Sequence, residues 1–149
     1  MALLDKFSLE KENAVLLIVD IQERLAAVME KKDRVVKNNQ HLIELAKMIN
    51  MPVVVTEQYP KGLGRTVPEL QTALPNYRPV EKLTFDCCSQ PTFLSALKSL
   101  NRNTVILTGM ETHICVLQTC LGLLKDGMNV HVVQDAICSR TNESWKSGM

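Results

Sequence analysis

Apolar and polar positions fall in blocks along this chain. Residues 14–19 are continuously apolar and stop at Asp20, the pattern of a parallel strand covered on both faces. Between 33 and 50 the apolar positions Val35, Leu42, Leu45, Ala46 and Ile49 recur at helical intervals. Pro52 ends that helix, and 53–56 form a second strand. Residues 57–76 are irregular, carry Pro60, Gly62, Gly64, Pro68 and Pro75, and hold a helical turn around 68–70. Connections of that length tend to be functional. A short third strand is expected within 78–83, and a helix opens at Ser89 and Pro91 with Phe93, Ala96, Leu97 and Leu100 on its apolar side. Residues 104–107 read as a fourth strand. The helix after Cys115 shows Leu117, Cys120, Leu121 and Leu124 as its apolar stripe and stops at Asp126-Gly127. Residues 130–133 make a fifth strand that ends near Asp135.

Strands alternating with helices imply an α/β fold: a doubly wound, Rossmann-like parallel sheet in three layers. No repeat, low-complexity tract or linker divides residues 1–149, so a single domain is expected. Ligands of such sheets bind beyond the carboxyl ends of the strands, where strand order reverses. That edge should collect Asp20, Glu57, Lys82, Cys115 and Asp135, one from each strand.

Composition narrows the function. A net charge of +1 gives no electrostatic footprint for nucleic acid or an anionic membrane. No apolar run reaches the length of a membrane span, and residues 1–13 are a mixed, polar leader, so the expected compartment is the cytoplasm. The five cysteines are odd in number and lack a C-x-x-C, and the three histidines lie far apart. Neither a disulfide framework nor a metal site is suggested. Gly62-Leu63-Gly64 lacks the G-x-G-x-x-G pattern of a dinucleotide site, so no cofactor is expected.

Cys115 stands near a helix start that follows a strand through a short turn. Unpaired N–H groups and the macrodipole there favour a thiolate, and the same N–H groups could receive an oxyanion. The competing reading is a small buried core residue. A thiol acting on a carbonyl needs a proton acceptor. His113 is only two residues away, but positions i and i+2 of a helix face different sides. Asp20 is the better base, because its strand should adjoin the Cys115 strand, and Lys82 would hold that pair and favour the charged forms. Taken singly, Asp20 also reads as a loop-capping aspartate and Lys82 as an exposed lysine.

The combination resembles the isochorismatase-like cysteine hydrolases. Asp20-Ile21-Gln22 after an apolar strand, Glu81-Lys82 before Thr84-Phe85, and the run from Gly109 to Cys115 are similar to that family's three signature blocks, in order. The stretch from Thr56 to Gly64, followed by Thr66-Val67-Pro68-Glu69-Leu70, resembles the branch of isochorismatase domain-containing proteins, and Ser139-Arg140 also fits. The resemblance implies an Asp20–Lys82–Cys115 triad that hydrolyses a C–N bond of a small amide through a thioester. It places a non-proline cis peptide at Met110–Glu111 and oxyanion donors at the N–H groups of Glu111 and Cys115. Gln22, Glu57, Tyr59, Phe85 and His113 complete the expected substrate side, with Gln22 as a brace.

Two departures from the family are visible. Where nicotinamidase relatives hold a metal through an aspartate and histidines, this chain reads Glu57-Gln58-Tyr59. The family also continues beyond Ser139-Arg140 with a helix and a sixth strand, so the last βα unit is expected to be missing from a chain that stops at Met149. The expectation is a metal-independent hydrolase of a small-molecule substrate, assembled as a homo-oligomer. The alternatives are a non-catalytic interaction module that keeps the fold, and a redox thiol protein pairing Cys115 with Cys120.

Overall fold

The computed structural model describes residues 3–149. After a 3₁₀ turn at Leu3–Phe7 the chain enters β1 (Ala14–Val19), whose six side chains are all buried. Ala14, Leu16 and Ile18 enter one core and Val15, Leu17 and Val19 the other. Burial on both faces is why β1 reads as an apolar run, and each such side chain contributes about 1.5–3 kcal/mol. Then follow α1 (Glu23–Ala26), α2 (Lys32–Met48), β2 (Val53–Gln58), α3 (Pro60–Leu63), α4 (Pro68–Ala73) and β3 (Val80–Lys82). A 3₁₀ turn, Cys87–Ser89, leads to α5 (Pro91–Ser99) and β4 (Thr104–Met110). A π-type turn, Thr112–Val116, opens α6 (Leu117–Lys125), and β5 (Asn129–Cys138) and α7 (Asn142–Gly148) close the chain.

The strands form one parallel sheet in the order β3-β2-β1-β4-β5. The chain runs outward from β1 to β3, then returns to lay β4 and β5 on the other side, so strand order reverses between β1 and β4. Val35, Val36, Ile43 and Ala46 of α2 fill one core, while Phe93 and Leu97 of α5 and Leu123 of α6 fill the other. The three-layer, doubly wound architecture is therefore the one that the alternating pattern predicts.

The departures lie at helix faces and strand ends. On α2, Leu45 is exposed, and the polar Asn39 is buried in its place. Asn39 Nδ2 donates to Val35 O and, at 3.2 Å, to Ala136 O, and its Oδ1 accepts from Thr108 Oγ1 at 2.6 Å. On α6 the expected apolar stripe faces outward at Leu121 and Leu124, which are 53% and 52% exposed. Thr119 and Leu123 are buried instead, Thr119 Oγ1 accepting the Cys87 N–H at 3.1 Å. β5 slips against β4: Leu107 pairs with Val132, but Gly109 pairs with Ile137. Asp135 sits exposed on that irregular stretch, its carbonyl held by Asn38 Nδ2 at 2.7 Å, and is not at the end of the strand. α7 lies beyond the last element that periodicity predicts.

At the reversal point Val19 pairs with Gly109, whose φ is +132°. A Cβ there would lie 2.1 Å from Val19 O. Only glycine allows the two central strands to end this close together.

Candidate active site

Three strand ends deliver the polar groups. Asp20 leaves β1 in a left-handed conformation, φ +52°, which aspartate tolerates better than most residues. Its Oδ1 accepts the Thr56 hydroxyl at 2.7 Å, and its Oδ2 lies 2.8 Å from Lys82 Nζ at the end of β3. Both side chains of that ion pair are wholly buried. Lys82 Nζ also donates to Gln58 Oε1 at 2.7 Å, Thr84 O at 2.8 Å and Phe85 O at 3.2 Å. Three ammonium hydrogens thus face four acceptors, of which the charged one, Asp20 Oδ2, is closer than Phe85 O. Burial, the largest single effect, opposes the Lys82 charge, but Asp20, Cys87 and Cys115 together outweigh it and raise the lysine pKa above its ordinary value.

Cys115 is carried by the π-type turn and is 6% exposed. Such turns insert one residue into a helical register and recur at functional sites. Its Sγ lies 3.9 Å from Gln58 Oε1. Burial first, and the Asp20 carboxylate second, push the thiol well above the ordinary cysteine range, against the opposing Lys82 charge. Burial therefore opposes the thiolate that a helix start alone would favour. A second thiol, Cys87, shares this field. Burial and then Asp20 push it up to about 12, and its Sγ lies 3.9 Å from Thr56 Oγ1.

Asp20, Lys82 and Cys115 occupy one site at the reversal point. The other residues expected there are distributed differently. Gln22 is fully buried and spends its amide on backbone, accepting from Gln58 N at 2.7 Å and donating to Gln58 O at 2.9 Å and Gly64 O at 2.8 Å. Glu57 lies within β2, not after it, and alternation turns it away from the face shared by Thr56 and Gln58. It accepts from Thr66 N, Thr66 Oγ1, the Tyr77 hydroxyl and Arg65 Nη1, which ties the following loop to the sheet. Met110 is buried in the core. The Met110–Glu111 peptide is cis, and the Glu111 carboxylate accepts from Arg140 N at 3.0 Å and Arg140 Nε at 3.1 Å. His113 Nδ1 meets Ser139 Oγ at 2.9 Å, so Glu111 and His113 both serve the exit of β5. Gly148 of α7 seats there too, since a Cβ would come 2.8 Å from His113 N.

Tyr59 and Phe85 are exposed, at 52% and 57%. Tyr59 N–H donates to Lys82 O at 2.9 Å, beside an open cleft of ≈ 370 Å³ lined by Tyr59, Lys61, Lys82 and Leu83. Gln58 is the site residue that periodicity missed. Extending β2 by two residues would have placed it on the face of Thr56. Among the described residues no cluster of three histidine, cysteine, aspartate or glutamate side chains is arranged to hold a metal. Glu57, the acidic group near the end of β2, is already committed to four donors.

A parallel α/β sheet with a buried Asp–Lys pair and a thiol at its reversal point places the chain among Rossmann-like α/β proteins. The chain belongs to the isochorismatase family: the Isochorismatase domain model matches residues 14–149. It is 39% identical over 134 residues to isochorismatase domain-containing protein 2 of Danio rerio, covering 89% of this chain and 66% of that protein. It thus spans about two thirds of the length of this curated relative. It superposes on the MAR1 ribonuclease of Caenorhabditis elegans with a TM-score of 0.87 at 39% identity, covering 94% of this chain and 72% of the other. With the YcaC gene product of Escherichia coli, an octameric hydrolase of unknown specificity, the TM-score is 0.84 at 29% identity, over 94% and 71% of the two chains.

Proposed function

We propose that this protein is a cysteine-dependent, metal-independent hydrolase of a small amide or related C–N substrate. One observation carries the reading: the buried Asp20 carboxylate, with the Thr56 hydroxyl on Oδ1 and Lys82 Nζ 2.8 Å from Oδ2, keeps acceptor directions unfilled beside a buried thiol. An open acceptor beside a thiol is what proton removal requires.

Cys115 passes its proton to Asp20 Oδ2 as Sγ attacks the substrate carbonyl carbon. The oxyanion is received by the N–H groups of Glu111 and Cys115, where one well-aimed donor contributes roughly 3 kcal/mol. Asp20 returns the proton to the leaving nitrogen as the C–N bond breaks, leaving a thioester on Sγ. Water then attacks the thioester, Asp20 takes its proton, and the thiol is restored by that same proton. Lys82, 2.8 Å from Asp20, limits charge build-up when the thiolate forms. Glu57 and its loop offer no ligand set for Lewis-acid assistance, so the oxyanion is left to backbone donors.

The protein works on a small molecule, as a homo-oligomer in the cytoplasm. Oligomerisation is supported by the octameric relative and by the apolar positions Leu121 and Leu124 exposed on α6; light scattering on the intact protein checks it. The cytoplasm suits five cysteines that are all unpaired. The redox alternative loses support because Cys120 lies five positions along the helical path from Cys115, and Cys87 is the thiol that shares its field.

The decisive experiment is ammonia or amine release from a panel of small amides, with Cys115→Ala beside the natural chain and EDTA in a parallel arm. Release that disappears in the variant and persists in EDTA is expected. RNA cleavage without amide turnover would replace this reading with the activity in the nematode relative's name. No turnover of any kind would favour the interaction module.

A further inference from the structure

We propose that Thr56 is a positioning residue of this site: its buried hydroxyl and its main-chain carbonyl together hold Asp20 in the orientation from which it takes the Cys115 proton. The inference rests on the cysteine-hydrolase reading and deepens it.

Thr56 follows three valines in β2 and is fully buried. A hydroxyl so placed is costly unless it finds a partner. It donates to Asp20 Oδ1 at 2.7 Å. The strand register sets this contact, since Val19 pairs with Thr56 and the Asp20 N–H donates to Thr56 O at 3.2 Å. One residue thus grips Asp20 twice, through its backbone and through its carboxylate. The other partner of that carboxylate, Lys82, is a compact charge on a flexible stem and fixes distance better than direction. A hydroxyl bond is directional. Asp20 also leaves β1 with φ +52°, so the strand itself does not aim its side chain.

The hydroxyl is held in its turn. It has one hydrogen, which goes to Asp20. The Cys87 thiol, 3.9 Å from Thr56 Oγ1, supplies a donor on the other side. Cys87 is fixed through its own N–H, which donates to Thr119 Oγ1 at 3.1 Å. Thr119, Cys87, Thr56 and Asp20 therefore form a chain of buried polar contacts from α6 to the end of β1. It ends on the charged group that, after burial, acts most on the Cys115 thiol. Cys87, a thiol that the hydrolytic cycle leaves unused, has its place in this chain as a donor.

The test is the rate of Cys115 alkylation by iodoacetamide at neutral pH, read by peptide mapping of the intact protein. Sγ displaces iodide from the reagent, and its proton goes to Asp20. Thr56→Val keeps the shape and loses the hydroxyl. Cys115 should then alkylate about tenfold more slowly, part of the ~100-fold that a lost base costs. Thr56→Ser returns the hydroxyl and should come within about twofold of the natural chain. Cys138, buried in the opposite core, is the structural control. Looser packing would expose buried thiols and speed both labels, whereas a misplaced base slows Cys115 alone. A Cys115 rate in Thr56→Val at or above the natural one overturns the proposal. So does a loss that Thr56→Ser shares, or a Cys138 rate that changes as well. Asp20→Asn separates the two levels. If it slows Cys115 and Thr56→Val does not, only the role of Thr56 fails. If Asp20→Asn alkylates like the natural chain, or Cys115 of the natural chain takes no label, the triad reading fails and Thr56 with it.

Discussion

Asp20 and Glu57 are neighbouring acidic residues on adjacent strands, both 0% exposed, and they do opposite things with their burial. Glu57 Oε1 accepts from Thr66 N at 2.8 Å, Thr66 Oγ1 at 2.9 Å and the Tyr77 hydroxyl, while Oε2 takes Arg65 at 3.2 Å. Burial and then the bond to Glu57 raise the Tyr77 pKa, which keeps that hydroxyl a donor. Asp20 takes the Thr56 hydroxyl on Oδ1 and the Lys82 ammonium 2.8 Å from Oδ2, two partners where Glu57 has four. A carboxylate with every acceptor direction filled holds a loop in place. One with a direction left open is equipped to take a proton. Burial by itself does not distinguish the two, because buried acids are costly in either case unless they are paired. The distinction lies in the donors around them.

The comparison breaks most easily at Asp20. Asp20→Asn should keep the fold, by circular dichroism and gel filtration, and lower amide turnover by about 100-fold or more, the scale of losing a general base. Turnover within a fewfold of the natural chain would place the base elsewhere. Glu57→Gln should behave in the opposite sense. It turns an NH₂ toward donors of the loop and should cost about 1–3 kcal/mol in urea unfolding, with turnover changed only a fewfold. Undiminished stability with collapsed turnover would reverse the assignments. Arg65, whose side chain is 58% exposed, contributes less, and Arg65→Ala should move the unfolding midpoint less than Glu57→Gln.

A gentler probe is pH. Burial pushes the thiols of Cys87 and Cys138 up from 9.0 to about 12. The unfolded chain releases those protons first, so the associated stability is whole below about pH 9 and is lost as pH rises toward 12. The raised pKa of Lys82 has the same sign: its contribution is present below the ordinary lysine value and fades as pH climbs through the folded one. Urea midpoints should fall steadily above about pH 9. Cys87→Ala should flatten that fall, because it removes a thiol raised first by burial and then by Asp20. Equal slopes in the natural chain and Cys87→Ala would mean that the Cys87 thiol is not raised in the folded chain.

What could be read in advance follows from what burial does to composition. β1 and the start of β4 are apolar because both faces of the sheet are covered, and 14–19 was legible to the residue. The carboxyl ends of β2, β4 and β5 were read too short. Thr56-Glu57-Gln58, Thr108-Gly109-Met110 and the stretch after Val133 carry polar or irregular residues where the sheet meets its site. Ending β2 at Thr56 is what left Glu57 among the substrate residues and hid Gln58. Helix faces failed for a related reason. Asn39 and Thr119 are buried because they satisfy Thr108, Ala136 and Cys87, while Leu121 and Leu124 face outward. Hydropathy scores a side chain by its own polarity and cannot see a partner on another element.

Val19 and Gly109 act as a common footing for Asp20 and Cys115. Asp20 follows one of them directly, and the turn that carries Cys115 begins three positions after the other, at Thr112. The pairing is so close that even a methyl group on Gly109 would strike Val19 O. The proposed base and nucleophile are thus cantilevered from one tight joint in the middle of the sheet, and their spacing is set by main chain. Tyr59, Leu83 and Phe85, which stand exposed near Lys82, are borne on connections. Those connections can be rewritten without disturbing the joint. A lineage built on this plan is free to change the rim of the cleft while leaving untouched the spacing of Asp20 and Cys115.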